Sequence, residues 1–421
     1  MAVKRLDAAT WRAGPRLRQD LGQFAQERAA VTEICARVHA EGDAALRGLG
    51  QQFDGWSPGD GESFEVPRSE LEAALRRLDP LAREALEFAA NRIANFHMRQ
   101  VESPSDDSGP LSLVTRPLNR VGVYAPGGRA AYPSTVLMTV IPARVAGVRE
   151  VVLATPPRRD GSVADAILAA ASIAKADAVY RVGGAQAIAA LAYGTESIRR
   201  VDLVAGPGNI YVNLAKREVY GAVGVDGIAG PTEVAIVADG KSRADFLAAD
   251  LAAQLEHDPL AWGVLFTDSS ALAARVEDEL DSLLRGLERA EIIRSANCFI
   301  VVTHDMEEAV ELADEFAPEH LLVLAEDAEE LARRVENAGA IFVGPYATVP
   351  LGDYVAGPNH TLPTSGGARF GSPLGVHTFL KRTSMLRLGR DDVAAWRDAA
   401  VRLATLEGLG AHAHAIEVRL E

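Results

Sequence analysis

The strongest constraint on the fold is an alternation of short apolar segments with glycine- or proline-containing turns and alanine-rich helices, which begins near residue 118. A strand, a helix and a further strand in succession predict a parallel sheet, because neighbouring parallel strands need a crossover connection. Two such series follow one another along the chain. The sequence therefore predicts an α/β fold with two Rossmann-like parallel-sheet domains and small helical or extended segments at both termini.

The apolar segments define the predicted elements of each series. The predicted strands of the first series are residues 121–124, 150–154, 178–182 and 201–205, with helices near 163–175 and 185–193. The predicted strands of the second series are residues 234–237, 264–267, 299–302, 321–324 and 340–343, with helices at 243–257, 270–287, 305–316 and 327–337. Residues 20–100 have apolar side chains at helical spacing and are expected to pack on a sheet that forms later in the chain.

The length of the chain, 421 residues, predicts more than one hydrophobic core. A polar stretch at 103–108 indicates a boundary between the helical region and the first strand series. The predicted division is an N-terminal arm (1–20), a discontinuous first α/β domain (21–118 and 236–377), a second α/β domain (119–235) and a C-terminal segment (378–421).

The formal net charge of −15 argues against nucleic acid or an anionic membrane surface as the main partner and favours a small molecule. No apolar run approaches the roughly 18 residues of a membrane span. The N-terminal residues lack the apolar core of a signal peptide. We therefore expect a cytoplasmic protein.

The two cysteines, Cys35 and Cys298, lie in apolar stretches and are interpreted as small core residues. Two thiols are too few for a disulfide framework or a cysteine-rich metal site. A metal site in this chain would therefore have to use nitrogen and oxygen ligands.

A predicted helix at 242–258 carries a candidate pair of such ligands near its end. Gln254 lies roughly 20° around the helix from the apolar Leu247, and His257 follows about one turn later. The pair alone is weak, because glutamine is an uncommon zinc ligand, and it needs a further acid and a further histidine. Asp353 and His412 are candidates, and Asp353 lies in a long glycine- and proline-rich stretch (344–375) of the kind that usually has a function.

An acid and an imidazole, Glu319 and His320, stand side by side just before a predicted strand. Ends of strands are where α/β enzymes place their catalytic groups. Histidine suits general base catalysis because its pKa lies near neutral pH, and an adjacent carboxylate can orient a water molecule. Without further context, a loop histidine beside a solvated glutamate is the commoner explanation.

Two glycine turns follow predicted strands and open helices, at 183–186 and 206–209. Backbone amides of such turns can bind a pyrophosphate. Neither turn has the G-x-G-x-x-G pattern of dinucleotide-binding proteins, so the residues alone support a nucleotide cofactor only modestly.

Taken together, these stretches resemble the histidinol dehydrogenase family from about residue 120 to residue 420. The matching runs are residues 120–128, 183–194, 205–212, 230–233, 254–259, 317–321 and 352–364. The resemblance implies an NAD-dependent oxidation of L-histidinol through L-histidinal to L-histidine, the last step of histidine biosynthesis, with one zinc ion per subunit.

The resemblance also implies a role for individual residues. It implies that zinc is bound by Gln254, His257, Asp353 and His412, and that Glu319 and His320 accept protons. It implies substrate contacts at Thr232, His360 and Glu407, besides His320 and the zinc ligands, and NAD contacts at Tyr124, Gln186 and Asn209. The domain at 119–235 would then be the one that contacts NAD.

Members of the family are intertwined homodimers in which the C-terminal segment completes the partner's active site, so the resemblance implies that His412, Glu407 and His360 act across subunits. Position 232 departs from the family, which often has serine there, but threonine keeps the hydroxyl. Either His412 or His414 could reach a metal from an irregular segment, and His412 is preferred because it keeps the family's spacing from Glu407.

Two other functions are compatible with the same residues. A zinc hydrolase would use Glu319 as a base and would not need NAD. A non-catalytic protein would bind zinc and an imidazole compound without turnover. The remaining histidines are interpreted as surface or structural residues; they are His39, His97, His304, His377 and His414.

Overall fold

A computed structural model of the chain describes residues 3–14, 24–59, 61–101, 109–127 and 131–421. It divides into two compact units. The first consists of Met1–Val101 and Leu118–Phe379, and the second of Glu102–Pro117 and Leu380–Glu421. The predicted boundary at 103–108 lies outside the described residues. In the described part of the chain, no helix is both long and apolar enough to cross a membrane.

The secondary structure follows the predicted alternation. The strands are β1 (Lys4–Asp7), β2 (Leu111–Pro117), β3 (Arg120–Tyr124), β4 (Glu150–Thr155), β5 (Ala178–Arg181), β6 (Leu203–Ala205), β7 (Gly224–Val225), β8 (Glu233–Ala238), β9 (Trp262–Thr267), β10 (Asn297–Val302), β11 (His320–Leu324), β12 (Ala340–Val343) and β13 (Leu380–Leu386). The helices are α1 (Ala8–Ala13), α2 (Ala25–Glu41), α3 (Asp43–Phe53), α4 (Arg68–Arg77), α5 (Pro80–Met98), α6 (Pro133–Val145), α7 (Asp165–Ile173), α8 (Gly184–Tyr193), α9 (Ile210–Val219), α10 (Ala244–Leu255), α11 (Ser270–Leu283), α12 (Ala290–Ser295), α13 (Met306–Phe316), α14 (Ala328–Arg333), α15 (Val349–Leu351), α16 (Arg390–Leu406) and α17 (Gly410–Glu417).

A six-stranded parallel sheet in the first unit has the strand order β1-β10-β9-β8-β11-β12. Every residue of β8, β9 and β11 is buried, as expected for parallel strands that are covered on both faces. Helices α10, α11 and α12 pack on one face, and α1, α13 and α14 on the other. The order of the strands reverses between β8 and β11, which are neighbours in the sheet.

A five-stranded parallel sheet, also in the first unit, has the order β5-β4-β3-β6-β7, and its order reverses between β3 and β6. Helices α4, α5, α6 and α7 contribute buried side chains to the core on one face, and α2, α3, α8 and α9 to the core on the other. The two sheets confirm the predicted fold class.

The predicted domain division groups residues 21–118 with 236–377. In the structure, helices α2 to α5 share their cores with the five-stranded sheet at 120–225. In the described part of the predicted N-terminal arm, β1 pairs with β10 as the edge strand of the six-stranded sheet. Trp11 of α1 packs edge-on against Phe266 and Phe299 of that sheet.

The second unit contains the antiparallel pair of β2 and β13 together with α16 and α17. It corresponds to the predicted C-terminal segment with the addition of β2, which the sequence analysis placed in the first domain. Between β12 and β13 the first unit has little regular structure, as predicted for the glycine-rich stretch: α15, a π-helical turn at Gly352–Ala356, and two short 3-10 helices at Gly367–Arg369 and Val376–Phe379.

Candidate active site

The predicted proton-accepting pair lies at the reversal point of the six-stranded sheet. His320 is the first residue of β11 and pairs in register with Val234, the second residue of β8. Thr232 directly precedes β8. The ligand sites of doubly wound sheets normally lie at the carboxyl ends of the strands. Here the candidate groups lie at the amino ends of β8 and β11.

Glu319 is held in place by its backbone and by its carboxylate. Ala317 ends α13 in the left-handed conformation (φ 46°), and the chain then enters β11 through Pro318. The Oε2 atom of Glu319 accepts hydrogen bonds from the Thr232 hydroxyl (2.5 Å) and from the backbone amide of Glu233 (2.9 Å). The side chain is buried, and burial raises the pKa of the Glu319 carboxyl. A buried carboxylate of raised pKa is suited to accept a proton.

His320 is buried and lies between carboxylates. Its Nδ1 is 3.3 Å from the carbonyl oxygen of Glu233 and 3.7 Å from Oε2 of Glu319. Its Nε2 lies 3.7 Å from Oδ1 of Asp353 and is a buried atom with no hydrogen-bond partner among the described residues. Burial lowers the pKa of His320, but Glu319 and Asp353 outweigh it, so the pKa is raised.

The orientation of the imidazole ring follows from these contacts. When Nδ1–H donates to the carbonyl oxygen of Glu233, Nε2 carries the lone pair. An unpartnered buried nitrogen in a native structure marks the place of a missing partner. His320 is therefore oriented to accept a proton or to contact a bound molecule through Nε2.

Asp353 lies in the π-helical turn, which α5 holds in position. Arg92 of α5 donates to the carbonyl oxygens of Val355 (3.1 Å) and Ala356 (3.2 Å). Burial raises the pKa of Asp353, but the surrounding imidazoles of His320, His360 and His257 outweigh it and lower the pKa. Asp353 is thus ionised and has nitrogen bases around it, which suits a carboxylate that binds a cation.

His360 belongs to the same chain's cluster. Its Nδ1 is 2.9 Å from the carbonyl oxygen of Asp353, and its Nε2 is 3.3 Å from the hydroxyl of Thr135. The expectation that His360 acts across subunits stays a prediction, and within its own chain the ring lies beside Asp353, seven residues earlier in the sequence. Burial lowers the pKa of His360 and keeps the ring neutral.

Gln254 is connected to the proton-accepting pair through one hydroxyl. Gln254 is buried in the last turn of α10, and its Nε2 donates to the hydroxyl oxygen of Thr232, which in turn donates to Glu319. The carbonyl oxygen of the same amide is the atom that could serve as a metal ligand. His257 lies two residues beyond the end of α10, is exposed, and contributes to the field at Asp353.

The candidate ligand atoms of Gln254, His257 and Asp353 are of the element types that zinc binds in proteins. They are oxygen and nitrogen atoms, and no cysteine is among them. Within the described ranges, no three His, Cys, Asp or Glu side chains could hold a metal by themselves. The zinc site therefore stays a prediction.

Glu407 and His412 belong to the second unit and are exposed there. Glu407 caps the C-terminus of α16, and His412 and His414 lie in α17. The expected irregular segment is therefore a helix. Residues two positions apart on a helix point about 200° away from each other, so only one of the two imidazoles can face a given site.

The residues predicted to contact NAD lie at the carboxyl edge of the five-stranded sheet. Tyr124 ends β3, and its hydroxyl oxygen accepts a hydrogen bond from the backbone amide of Gly184 (3.1 Å). Gln186 is buried in the first turn of α8, and Asn209 caps α9 by accepting from the amide of Val212 (3.1 Å). A Cβ atom on Gly206 would lie 2.2 Å from the carbonyl oxygen of Tyr124. These turns lie at the reversal point of the sheet, the position at which doubly wound folds generally bind nucleotides.

Thr135 connects the two groups of residues. It lies near the start of α6, the helix that follows β3, and it contacts His360 of the other group. Sequence reasoning missed Thr135, because a lone threonine in a helix gives no signal of a contact 225 residues away.

Asp54 is a further residue that sequence reasoning missed. It directly follows α3, and its carboxyl contacts the Gln186 side chain. Burial raises its pKa to about 6. No motif surrounds it in the sequence, and only the packing of α3 against α8 brings it to the predicted nucleotide site.

Replacing Asp54 by asparagine is expected to stabilise the protein above pH 6 but not at pH 4. The pKa is 3.8 for an ordinary aspartate and about 6 in the folded protein. The stabilising contribution of this group is full below the lower value and is lost as the pH rises through the upper one. Asparagine avoids that loss. Above pH 6 its free energy of unfolding should therefore exceed that of the wild type by about 1 kcal/mol, after allowance for solvent screening.

Thermal unfolding of the two proteins between pH 4 and pH 8 would check this expectation. The exposed Asp398 provides a matched control, since Asp398→Asn removes the same charge without burial. A difference between Asp54→Asn and the wild type that does not grow with pH would contradict the assignment.

A sequence model of the histidinol dehydrogenase family matches residues 17–420. The chain belongs to this family. The histidinol dehydrogenase of Moorella thermoacetica is 50% identical over 402 residues, which cover 93% of this chain and 94% of that protein. The histidinol dehydrogenase of Aquifex aeolicus is 47% identical over 431 residues, which cover 100% and 99% of the two chains.

The fold agrees with a solved structure of the same family. The crystal structure of histidinol dehydrogenase from Elizabethkingia anophelis superposes with a TM-score of 0.89 at 30% sequence identity, over 99% of this chain and 98% of that one. The resemblance stated from the sequence is thereby confirmed. The predicted class of enzyme, an NAD-dependent oxidoreductase of histidine biosynthesis, is confirmed by membership of the histidinol dehydrogenase family.

Proposed function

We propose that the protein oxidises L-histidinol through L-histidinal to L-histidine in two NAD-linked steps at a site with one zinc ion per subunit, the last reaction of histidine biosynthesis. The observation that carries the proposal is the buried pair of Glu319 and His320, with the unpartnered Nε2 of His320 directed towards Asp353. The names of the relatives, histidinol dehydrogenases, supply the substrate.

Gln254, His257, Asp353 and His412 would hold the zinc, and Tyr124, Gln186 and Asn209 would contact NAD. When bound, zinc would serve as a template that holds and orients the substrate, and NAD would supply the hydride acceptor. Thr232, His360 and Glu407 would contact the substrate. The position of His360 beside Asp353 supports its role within its own chain.

The chain's own residues move the protons. His320 accepts the proton of the alcohol at Nε2 in the first oxidation, and the carboxylates of Glu319 and Asp353 stabilise the resulting imidazolium. Glu319 accepts a proton from the water that adds to the aldehyde. The hydrogen bonds from Thr232 and Glu233 to Oε2 orient the carboxylate for that task. His320 releases the first proton to solvent between the two oxidations and then accepts the proton of the hydrated aldehyde in the second.

The second unit supports an intertwined homodimer with shared active sites. Its helices carry large apolar side chains that are exposed in the single chain: Trp396, Leu403, Leu406 and Leu409. Exposed apolar patches usually mark interaction surfaces. A partner subunit that covers this face would bring its His412 and Glu407 to the site of the first unit. The cytoplasm, where NAD is available, is the expected location.

The proposal predicts two molecules of reduced NAD for each molecule of histidinol oxidised. The absorbance of reduced nicotinamide measures this, with and without a chelator. We expect turnover that the chelator abolishes and added zinc restores. Absence of reduced NAD would favour a zinc hydrolase, and zinc-dependent binding of histidinol without turnover would favour a binding protein. One reduced NAD per histidinol would contradict the second oxidation.

A further inference from the structure

Lys216 and Asp226 form a buried ion pair outside the residues assigned so far. Lys216 lies in α9, and its side chain is 2% exposed; that of Asp226 is 4% exposed. The Lys216 ammonium contacts the Asp226 carboxylate and donates to the carbonyl oxygen of Gly206 (3.0 Å). Asp226 accepts from the backbone amides of Gly206 (2.8 Å) and Gly227 (2.9 Å). The pair thus engages both polar backbone groups of Gly206.

Gly206 is the first residue of the turn at 206–209, directly after β6. Its φ of +114° belongs to the region that favours glycine, and an added Cβ would meet the backbone of Tyr124. A second side chain holds the far end of the turn, because Asn213 donates to the carbonyl oxygens of Gly208 (2.8 Å) and Asn209 (3.2 Å). Side chains that follow the turn in the sequence therefore hold both of its ends.

Stability alone does not explain the pair. Removing two charges from water is costly, and apolar side chains of similar volume often serve a core as well or better. Apolar residues could not bind the amide and the carbonyl of Gly206 at the same time. The ion pair therefore has a geometric use: it fixes the conformation of one glycine at the reversal point of the sheet.

We infer that Lys216 and Asp226 are positioning residues that hold the turn at 206–209 in the conformation that binds the nucleotide. The inference rests on the proposed NAD site at Tyr124, Gln186 and Asn209. Because the pair lies beneath the turn, it acts through Gly206 and needs no contact with the cofactor. It also lies outside the cluster of Glu319, His320 and Asp353.

The double variant Lys216→Met with Asp226→Asn tests the inference. It removes both charges together, so neither is left buried alone, and it deletes the donor to the Gly206 carbonyl. We expect the KM for NAD to rise about three- to tenfold, the effect of one lost hydrogen bond on an equilibrium. The KM for histidinol and the zinc content should stay unchanged. A change that only destabilised the protein would not raise the KM for NAD selectively in a folded sample.

A matched control exists at the opposite edge of the same sheet. Arg120 and Glu150 form a partly buried ion pair at the amino ends of β3 and β4 (3.0 Å). The double variant Arg120→Met with Glu150→Gln removes the same number of charges and should leave the KM for NAD unchanged. If the first double variant does not fold, Lys216→Gln with Asp226→Asn decides, because it also leaves neither charge buried alone and still removes the ammonium that holds the carbonyl of Gly206.

Calorimetric titration with NAD separates failure of this inference from failure of the proposed function. A wild-type protein that binds no NAD and forms no reduced NAD would overturn both. A wild type that binds NAD, with a folded variant that has an unchanged KM for NAD, would overturn the inference alone. A rise no larger than that of the Arg120 and Glu150 control would do the same.

Discussion

Replacing His320 by asparagine is expected to lower kcat for histidinol oxidation about 10²- to 10⁴-fold, the usual contribution of a general base. The asparagine amide can keep the bond to the Glu233 carbonyl that the Nδ1 side of the ring makes, and it lacks the Nε2 atom. The variant should therefore fold and retain its zinc. Oxidation of histidinal should fall with that of histidinol, because the same nitrogen accepts both protons.

Steady-state rates with each of the two substrates and the zinc content of the purified protein measure this effect. His304→Asn is the matched control, since His304 is exposed and its imidazole contacts the neighbouring Asp305. Unchanged kcat in His320→Asn would refute the assignment of the base. Loss of zinc together with activity would indicate instead that His320 helps to hold the metal.

Replacing His412 by alanine is expected to remove the zinc and nearly all activity. Loss of a direct ligand should weaken zinc binding by more than the about 10- to 100-fold that loss of an outer hydrogen-bond partner costs. His414→Ala is the control on the same helix, because its imidazole points away from that of His412. Equal zinc loss in the two variants, or loss only in His414→Ala, would contradict the choice of His412.

Mixing His412→Ala with His320→Asn tests whether the sites are shared between subunits. In a mixed dimer one site would carry both defects and the other neither, so random exchange should restore about a quarter of the wild-type activity. The expected recovery requires refolding or coexpression, so that subunits exchange. Mixed dimers that are verified by mass and remain inactive would show that each site is built from one chain.

Strands buried on both faces were the most predictable part of the fold. The strands from Val121 and from Val234 onwards have nearly continuous apolar residues, and a parallel sheet covered by helices requires that pattern. Strand β1 escaped notice because Lys4, Arg5 and Asp7 are polar, and an edge strand needs few apolar side chains. The sheet against which the first helices pack could not be predicted, because both sheets present apolar faces.

The candidate site could be predicted in its residues but not in its geometry. The adjacency of Glu319 and His320 and the spacing of Gln254 and His257 are local, so a sequence displays them. Thr232 is hydrogen-bonded to Gln254, 22 residues away, and to Glu319, 87 residues away. Only the fold reveals these contacts. The assignment of the zinc ligands and NAD contacts came from family resemblance rather than from local pattern.

The predicted proton acceptors lie on one sheet and the predicted nucleotide turns on the other, which has an evolutionary consequence under the proposed function. Mutations around β3 and β6 would then change the choice of cofactor without disturbing the acid and imidazole at β8 and β11. Mutations around the latter can alter which alcohol is accepted while the nucleotide turns stay intact. A descendant of this protein can therefore change its cofactor specificity and its substrate specificity separately. The contact between Thr135 and His360 joins the two groups of residues, so substitutions at these two positions have to remain compatible with both.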